Sequence, residues 1–149
     1  MLDLCFAPII LAGAMLPLST GWHHSALPNS PIIEVHTCNT GLGAHARVAG
    51  SGIYTAGIDY GFTKEYAGFE FSLIPQAGIS YVDHTERNLP ARRQYELGAQ
   101  AMVCYDRYCS AVGYIHMSNG SAIGLCPDGR RCHPNIGEDA VTVTTGVRF

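Results

Sequence analysis

The chain carries little charge for its length and no large excess of either sign. Charged residues make up 14% of its 149 positions, against about 25% in typical soluble domains. The formal net charge of −3 is too small to indicate a nucleic-acid partner. Long apolar runs are also missing, because no stretch after residue 20 suits a bilayer-spanning helix. A chain of this length suggests one domain.

The first 21 residues contain no lysine or arginine, so the positive region that begins most signal peptides is missing. They do contain an uncharged apolar run over 6–18, followed by small residues at 19–21 that suit cleavage. From this run we predict a signal peptide over 1–21 and a single domain over 22–149. The alternative is that the run forms a buried helix or strand of the folded domain.

The six cysteines lack the paired Cys-x-x-Cys spacing of many zinc sites. We predict no metal site and no cofactor, and a zinc site that uses Cys132 and the adjoining His133 is the less favoured alternative. Cys104 and Cys109 flank a short turn, and Cys126 and Cys132 flank a loop. Both pairs are close enough for local disulfides, Cys104–Cys109 and Cys126–Cys132, which need an oxidising compartment.

From residue 50 onward, apolar and polar residues alternate over long segments, as they do in β-strands. Four clear segments cover 50–62, 67–83, 92–104 and 138–149, and a fifth strand ends at Ser118. Weaker strand signals cover 32–38 and 43–49. The pattern predicts an all-β protein with five clear strands and one to three more.

Three features favour a transmembrane barrel over a soluble β-domain such as a lipocalin-like binder. The predicted strands reach or exceed the ~9–11 residues that cross a bilayer when tilted. Aromatic residues lie near strand ends, as in interfacial girdles, and the last predicted strand ends on an aromatic, Phe149. Eight is the smallest usual strand number of such barrels. We therefore predict a small antiparallel up-and-down transmembrane β-barrel, with eight strands.

The connections between the predicted strands alternate in length. We predict tight turns at 63–66 and 105–108, and longer polar loops at 84–91 and 119–137. In outer-membrane barrels the short turns face the periplasm. The strand that ends at Ser118 would then run outward, toward the cell exterior.

A histidine and a serine lie two positions apart, at His116 and Ser118, in one predicted strand. Their side chains therefore share a face, and together they form the minimal unit of a nucleophile and its general base. The alternation that turns Cys104 and Cys109 into the lumen puts His116 and Ser118 on the lipid side. It puts Asp139 on the same outer face. We expect this trio near the extracellular rim.

The order of these residues resembles the motifs of a known family, the lipid A 3-O-deacylases (PagL family). The match covers about the C-terminal third of the chain, whereas the N-terminal third shows no matching motif. The loop at 119–137 is longer here and carries an apparent insertion at 126–132. The matching elements are His116-Met117-Ser118-Asn119-Gly120, Pro134-Asn135-x-Gly137-x-Asp139 and a final strand that ends in an aromatic residue.

The resemblance implies an eight-stranded barrel in the bacterial outer membrane that hydrolyses the ester-linked acyl chain at the 3-position of lipid A. It implies Ser118 as the nucleophile, His116 as the base and Asp139 as the carboxylate that orients the base. It also implies Asn119 as the oxyanion residue, which the backbone amides of Asn119 and Gly120 can assist. The implied partners are lipopolysaccharide and the outer membrane, and a homodimer is left open.

Several assignments stay open on the residues alone. Glu138 is the rival carboxylate, although the alternation turns it into the lumen. Acyl chains can lie along Tyr114, and Arg130 and Arg131 either bind lipid A phosphates or form a solvated pair of loop charges. The proposed catalytic residues can also be ordinary interfacial or turn residues. A non-catalytic outer-membrane barrel that serves adhesion or envelope integrity is therefore the second candidate function.

Overall fold

The computed structural model describes residues 7–18, 27–83, 92–118 and 137–149. These residues form eight β-strands and no helix. The strands are β1 Ile9–Pro17, β2 Ser30–His36, β3 Gly41–Ala49, β4 Ile53–Tyr66, β5 Phe69–Val82, β6 Arg93–Tyr105, β7 Tyr108–Ser118 and β8 Glu138–Arg148. Among the described residues, no helix has the length and apolar character to cross a membrane.

The strands follow one another around a closed barrel. Each strand pairs antiparallel with the next, and β1 pairs with β8 to complete the ring. Closure leaves no strand edge unpaired, which removes the usual site of edge-to-edge aggregation. The prediction of an all-β, eight-stranded, up-and-down barrel is confirmed.

The first strand lies in the segment that the sequence assigned to a signal peptide. Ile9–Pro17 forms ladders with both β2 and β8, so the barrel includes residues that precede the predicted boundary at residue 22. The alternation is hidden here because both faces are apolar. Ile9 and Met15 are buried inside the barrel, whereas Ile10 and Leu16 are exposed on its outer surface. In this structure the apolar run is therefore a strand of the folded domain, which was the alternative to a signal peptide.

The two ends of the barrel carry different connections. The short-turn end carries the connections 37–40, 67–68 and 106–107. The long-loop end carries the connections 18–29, 50–52, 83–92 and 119–137. The predicted separation of short turns from long loops therefore holds, with 50–52 as a short connection on the long-loop side.

One predicted turn is misplaced. The chain turns between Tyr105 and Tyr108 as predicted, but residues 63–66 belong to β4, and the turn follows them at Ala67-Gly68. Both turn residues have positive φ, 53° and 80°, which suits a two-residue hairpin turn of type I′. Lys64 and Glu65 are polar and therefore suit a turn, but a strand end at the barrel rim accommodates them equally well.

The lumen holds a network of buried polar and charged side chains as well as two clusters of buried apolar side chains, and the outer wall is mainly apolar. Inside, the Arg47 guanidinium donates to Glu34 (Nε to Oε1, 2.6 Å), to Glu96 (Nη1 to Oε1, 2.5 Å) and to Gln76 (Nη2 to Oε1, 3.1 Å). Such buried charges are tolerated only when they are paired and hydrogen-bonded. The outer wall exposes large apolar side chains, including Ile33, Val48, Ile58, Phe62, Leu73, Ile79, Leu97 and Val112.

Cys104 and Cys109 lie opposite each other across the β6–β7 hairpin and form a disulfide. Both are buried on the lumen side. This predicted bridge is confirmed, while the predicted Cys126–Cys132 bridge lies outside the described residues.

Candidate active site

The pairing of β7 with β8 places His116 directly opposite Asp139. Ile115 and Met117 point into the lumen. His116 lies between them and Ser118 follows Met117, so both point to the outer wall, where they are partly exposed. The three residues lie where β7 ends and β8 begins, at the long-loop end of the barrel.

A hydrogen bond joins the histidine to the carboxylate. His116 Nδ1 lies 2.8 Å from Asp139 Oδ1. An ionised carboxylate only accepts hydrogen bonds, so Nδ1 carries the proton and donates it. This leaves the lone pair of His116 on Nε2, which is the tautomer that a general base requires.

The serine stands beside this pair without a direct bond to it. Within the part of the chain that the structure describes, no hydrogen bond joins Ser118 Oγ to the His116 ring. Residues two apart in a strand are separated by ~6.5 Å along its axis, so the imidazole must lean along the strand for Nε2 to reach Oγ. Contacts of this kind are commonly long before substrate is bound.

The neighbouring acid is on the other side of the wall. Glu138 is only 3% exposed and lies opposite Met117, which also points into the lumen. The β-sheet therefore separates Glu138 from the ring of His116. Of the two candidate acids, Asp139 is the one that contacts the histidine.

A glycine that received no role from the sequence packs against the imidazole. Gly137 has φ +77°, and a Cβ atom built on it would lie 2.7 Å from Cε1 of His116 and 3.1 Å from Nε2. The same atom would lie 2.6 Å from the carbonyl oxygen of Met117. Only glycine satisfies both the positive φ and the close approach. The Pro-Asn-x-Gly spacing was the available signal, but it does not reveal this contact.

Tyr114 also contacts the site, in a way that the sequence did not indicate. Its hydroxyl donates a hydrogen bond to Oδ1 of Asp139 at 2.6 Å. The sequence suggested this residue as a surface for acyl chains, and its ring is indeed exposed on the outer wall. Its polar end, however, belongs to the hydrogen-bonded group around the carboxylate.

A shallow apolar depression lies on the same wall, on the short-turn side of the site. It has a volume of about 420 Å³. Its lining comes from β1, β6, β7 and β8 and includes Ala12, Ala101, Val112, Val143 and Thr145. The small outward side chains of these strands make the depression, which is open along the barrel surface.

The remaining predicted site residues, Asn119, Gly120, Arg130 and Arg131, lie outside the described residues. Among the described residues, no group of three or more histidine, cysteine, aspartate or glutamate side chains could hold a metal ion. Comparisons with protein-family models, curated proteins and solved structures found no match to this chain.

Proposed function

We propose that this protein is an outer-membrane serine esterase that removes the ester-linked acyl chain at the 3-position of lipid A. The observation that carries the proposal is the hydrogen bond between His116 and Asp139. It prepares a general base on the outer wall, on the same face as Ser118. The order of motif residues around this pair, similar to that of lipid A 3-O-deacylases, supports the choice of substrate.

The distribution of side chains supports a location in a bacterial outer membrane. An apolar outer wall around an interior that buries charged and hydrogen-bonded side chains is typical of membrane-spanning β-barrels, and here the lumen combines such a network with two apolar clusters. Aromatic residues flank the apolar wall, as they do at membrane interfaces. At the short-turn end these are Tyr66, Phe69, Tyr105 and Tyr108, and toward the long-loop end Tyr54 pairs with Tyr81.

The chemistry follows from the tautomer of His116. Ser118 Oγ attacks the ester carbonyl carbon while Nε2 of His116 takes the serine proton, and Asp139 stabilises the resulting imidazolium. The imidazolium then protonates the departing sugar oxygen, which leaves an acyl-serine. Water, deprotonated by Nε2, hydrolyses this intermediate and releases the fatty acid.

Asn119 and Gly120 follow Ser118 directly and are proposed to donate hydrogen bonds to the oxyanion. Donors of this kind supply on the order of 3 kcal/mol of transition-state stabilisation.

The position of the site suits an amphipathic ester. A charged group deep in hydrocarbon costs several kcal/mol, and placement at the rim reduces this cost. From Ser118 the outer wall continues past Tyr114 to the apolar depression at Val112 and Val143. An acyl chain along this wall would keep its methylene groups in an apolar environment and present its ester at the rim.

The test is the mass of lipid A in cells that express the chain. Expression of the wild type should lower the mass of lipid A by that of one acyl chain. Ser118→Ala and His116→Ala should each leave the mass unchanged. Ser110→Ala is the matched control, because Ser110 faces outward on the same strand near its opposite end. Heat-modifiable gel mobility of every variant reports the folded barrel. Lipid A of unchanged mass with a folded wild-type barrel would refute the esterase.

A second candidate function is a non-catalytic barrel that serves adhesion or envelope integrity. This candidate requires no contact between Ser118 and His116, and the described residues show no hydrogen bond between the two. It predicts a folded wild-type barrel, unchanged lipid A and no difference between Ser118→Ala and Ser110→Ala.

A further inference from the structure

We propose that Tyr114 is a positioning residue whose hydroxyl holds the Asp139 carboxylate in the orientation that serves His116. This inference rests on the proposed esterase function and adds a fourth residue to its site. Tyr114 would act on the reaction only through Asp139.

The strand register brings the tyrosine to the carboxylate. Tyr114 lies opposite Val141, and His116 lies opposite Asp139, so Tyr114 and Asp139 are diagonal neighbours on the outer wall. Diagonal neighbours are separated by ~7–8 Å, a distance that aromatic side chains can cross. The tyrosine ring crosses it and brings its hydroxyl to 2.6 Å from Oδ1.

Tyrosine and histidine share one oxygen of the carboxylate. The Tyr114 hydroxyl and His116 Nδ1 both donate to Oδ1 of Asp139, at 2.6 Å and 2.8 Å. Rotation about the last side-chain bond of an aspartate is only weakly restricted. Two charge-assisted donors that converge on one oxygen oppose this rotation from two directions, and such bonds are about twice as strong as neutral ones.

Loss of the hydroxyl should loosen the geometry of the His116–Asp139 pair, because one of the two donors that hold Oδ1 is then missing. The expected effect is therefore on kcat, whereas a merely structural tyrosine would change the stability of the barrel and leave kcat unchanged.

The alternative is that Tyr114 is an ordinary aromatic residue of the outer wall and has no role in the reaction. Tyr60 provides the matched control for this alternative. It also faces outward and is 43% exposed, against 47% for Tyr114. Its ring packs on Phe62, and its hydroxyl makes no hydrogen bond within the described ranges.

The experiment compares Tyr114→Phe and Tyr60→Phe in the full-length chain, folded in detergent, with purified lipid A as the probe. We expect Tyr114→Phe to lower kcat about 3- to 10-fold, as the loss of one hydrogen bond of about 1 kcal/mol implies. KM should stay within about twofold, because phenylalanine keeps the ring along which the acyl chain would lie and removes only the hydroxyl that contacts Asp139. Tyr60→Phe should change none of these quantities.

A double-mutant cycle tests whether the tyrosine acts through the carboxylate. In an Asp139→Ala background, Tyr114→Phe should have no further effect on the residual rate, because its acceptor is absent. An additive effect, or an active Tyr114→Phe enzyme with unchanged kcat, would overturn the assignment of Tyr114 alone. An inactive, folded wild type would instead contradict the esterase, and the role of Tyr114 with it.

Discussion

Gly137 lies against the imidazole of His116, so closely that a Cβ atom at this position would be 2.7 Å from Cε1 and 3.1 Å from Nε2. Nε2 is the atom that takes the serine proton in the proposed reaction. A side chain at 137 would therefore displace the ring that it touches. The glycine both begins the β8 side of the site and leaves space for the base.

Gly137→Ala should lower the deacylation rate about 10-fold or more, because the added methyl group moves the His116 ring and strains a backbone with φ +77°. Gly68→Ala is the control, since Gly68 has φ +80° but its Cβ would meet only Tyr105, at 3.7 Å. Both variants should lose stability in urea, Gly137→Ala by more because its Cβ would also lie 2.6 Å from the Met117 carbonyl oxygen, and only Gly137→Ala should lose rate as a folded barrel. Equal deacylation rates for the two variants would show that Gly137 does not determine the position of the His116 ring.

The two adjacent acids at the start of β8 should behave differently when they are replaced by amides. Asp139→Asn should reduce kcat about 10³-fold or more, because the amide no longer fixes the His116 tautomer. Glu138→Gln should retain most of the activity, since its side chain is in the lumen. Kinetics on purified lipid A measure both effects. A larger loss for Glu138→Gln than for Asp139→Asn would contradict the proposed site.

The guanidinium of Arg47 should be a main source of barrel stability. Arg47→Ala leaves the buried carboxylates of Glu34 and Glu96 without their shared donor, which should lower the free energy of unfolding by about 3–5 kcal/mol. Urea unfolding followed by gel mobility measures the change. Arg92→Ala at the exposed rim should leave the unfolding midpoint unchanged. Similar unfolding midpoints for both variants would mean that the hydrogen-bonded network in the lumen contributes little to the free energy of unfolding.

Charge on the outer wall tests the membrane location. Ile58→Arg, in the middle of β4, should cost about 2–4 kcal/mol in lipid vesicles, whereas Tyr66→Arg at the short-turn end should cost about 0–1 kcal/mol. Both side chains are exposed in the structure, by 61% and 74%, so a water-soluble barrel would tolerate both equally. Equal tolerance, together with a chain that stays soluble without detergent, would exclude the membrane-embedded barrel.

The disulfide at the short-turn end should be present without added oxidant in protein recovered from the cell envelope. Neither Cys104 nor Cys109 should react with an alkylating agent until the unfolded chain is reduced. Cys104→Ser/Cys109→Ser should still form the barrel, because the bridge closes a loop that the β6–β7 ladder already pairs. Its loss should cost about 2 kcal/mol, the low end for a disulfide. Alkylation of either thiol before reduction would contradict the bridge.

Strand content was predictable where one face is polar and the other apolar. β4 to β8 all have this pattern, and their limits follow the sequence to within a few residues, apart from the turn moved from 63–66 to Ala67-Gly68. β1 could not be distinguished from a signal peptide, because Ile9 and Ile10 make both of its faces apolar. An apolar run of that length has the same composition in a signal peptide, a buried helix or a strand.

Within the site, the faces could be predicted and the contacts could not. Alternation put His116 and Asp139 on the outer wall and Glu138 inside, as the burial of these residues shows. No sequence pattern indicated the hydrogen bond from Tyr114 to Asp139, because that bond depends on which residues β7 and β8 place opposite each other. The assigned roles of Ser118, His116 and Asp139 remain proposals that the experiments above test.

The amino-acid order determined the direction in which each side chain points, because successive residues of a strand alternate faces wherever the strand lies. Tertiary structure alone decided that Ile9–Pro17 closes the ring, that His116 faces Asp139, and that Gly137 and Tyr114 complete the group around them. These relationships depend on strand register between residues distant in sequence. Register is set by the packing and hydrogen bonding of the whole barrel, and a period of two leaves it undetermined.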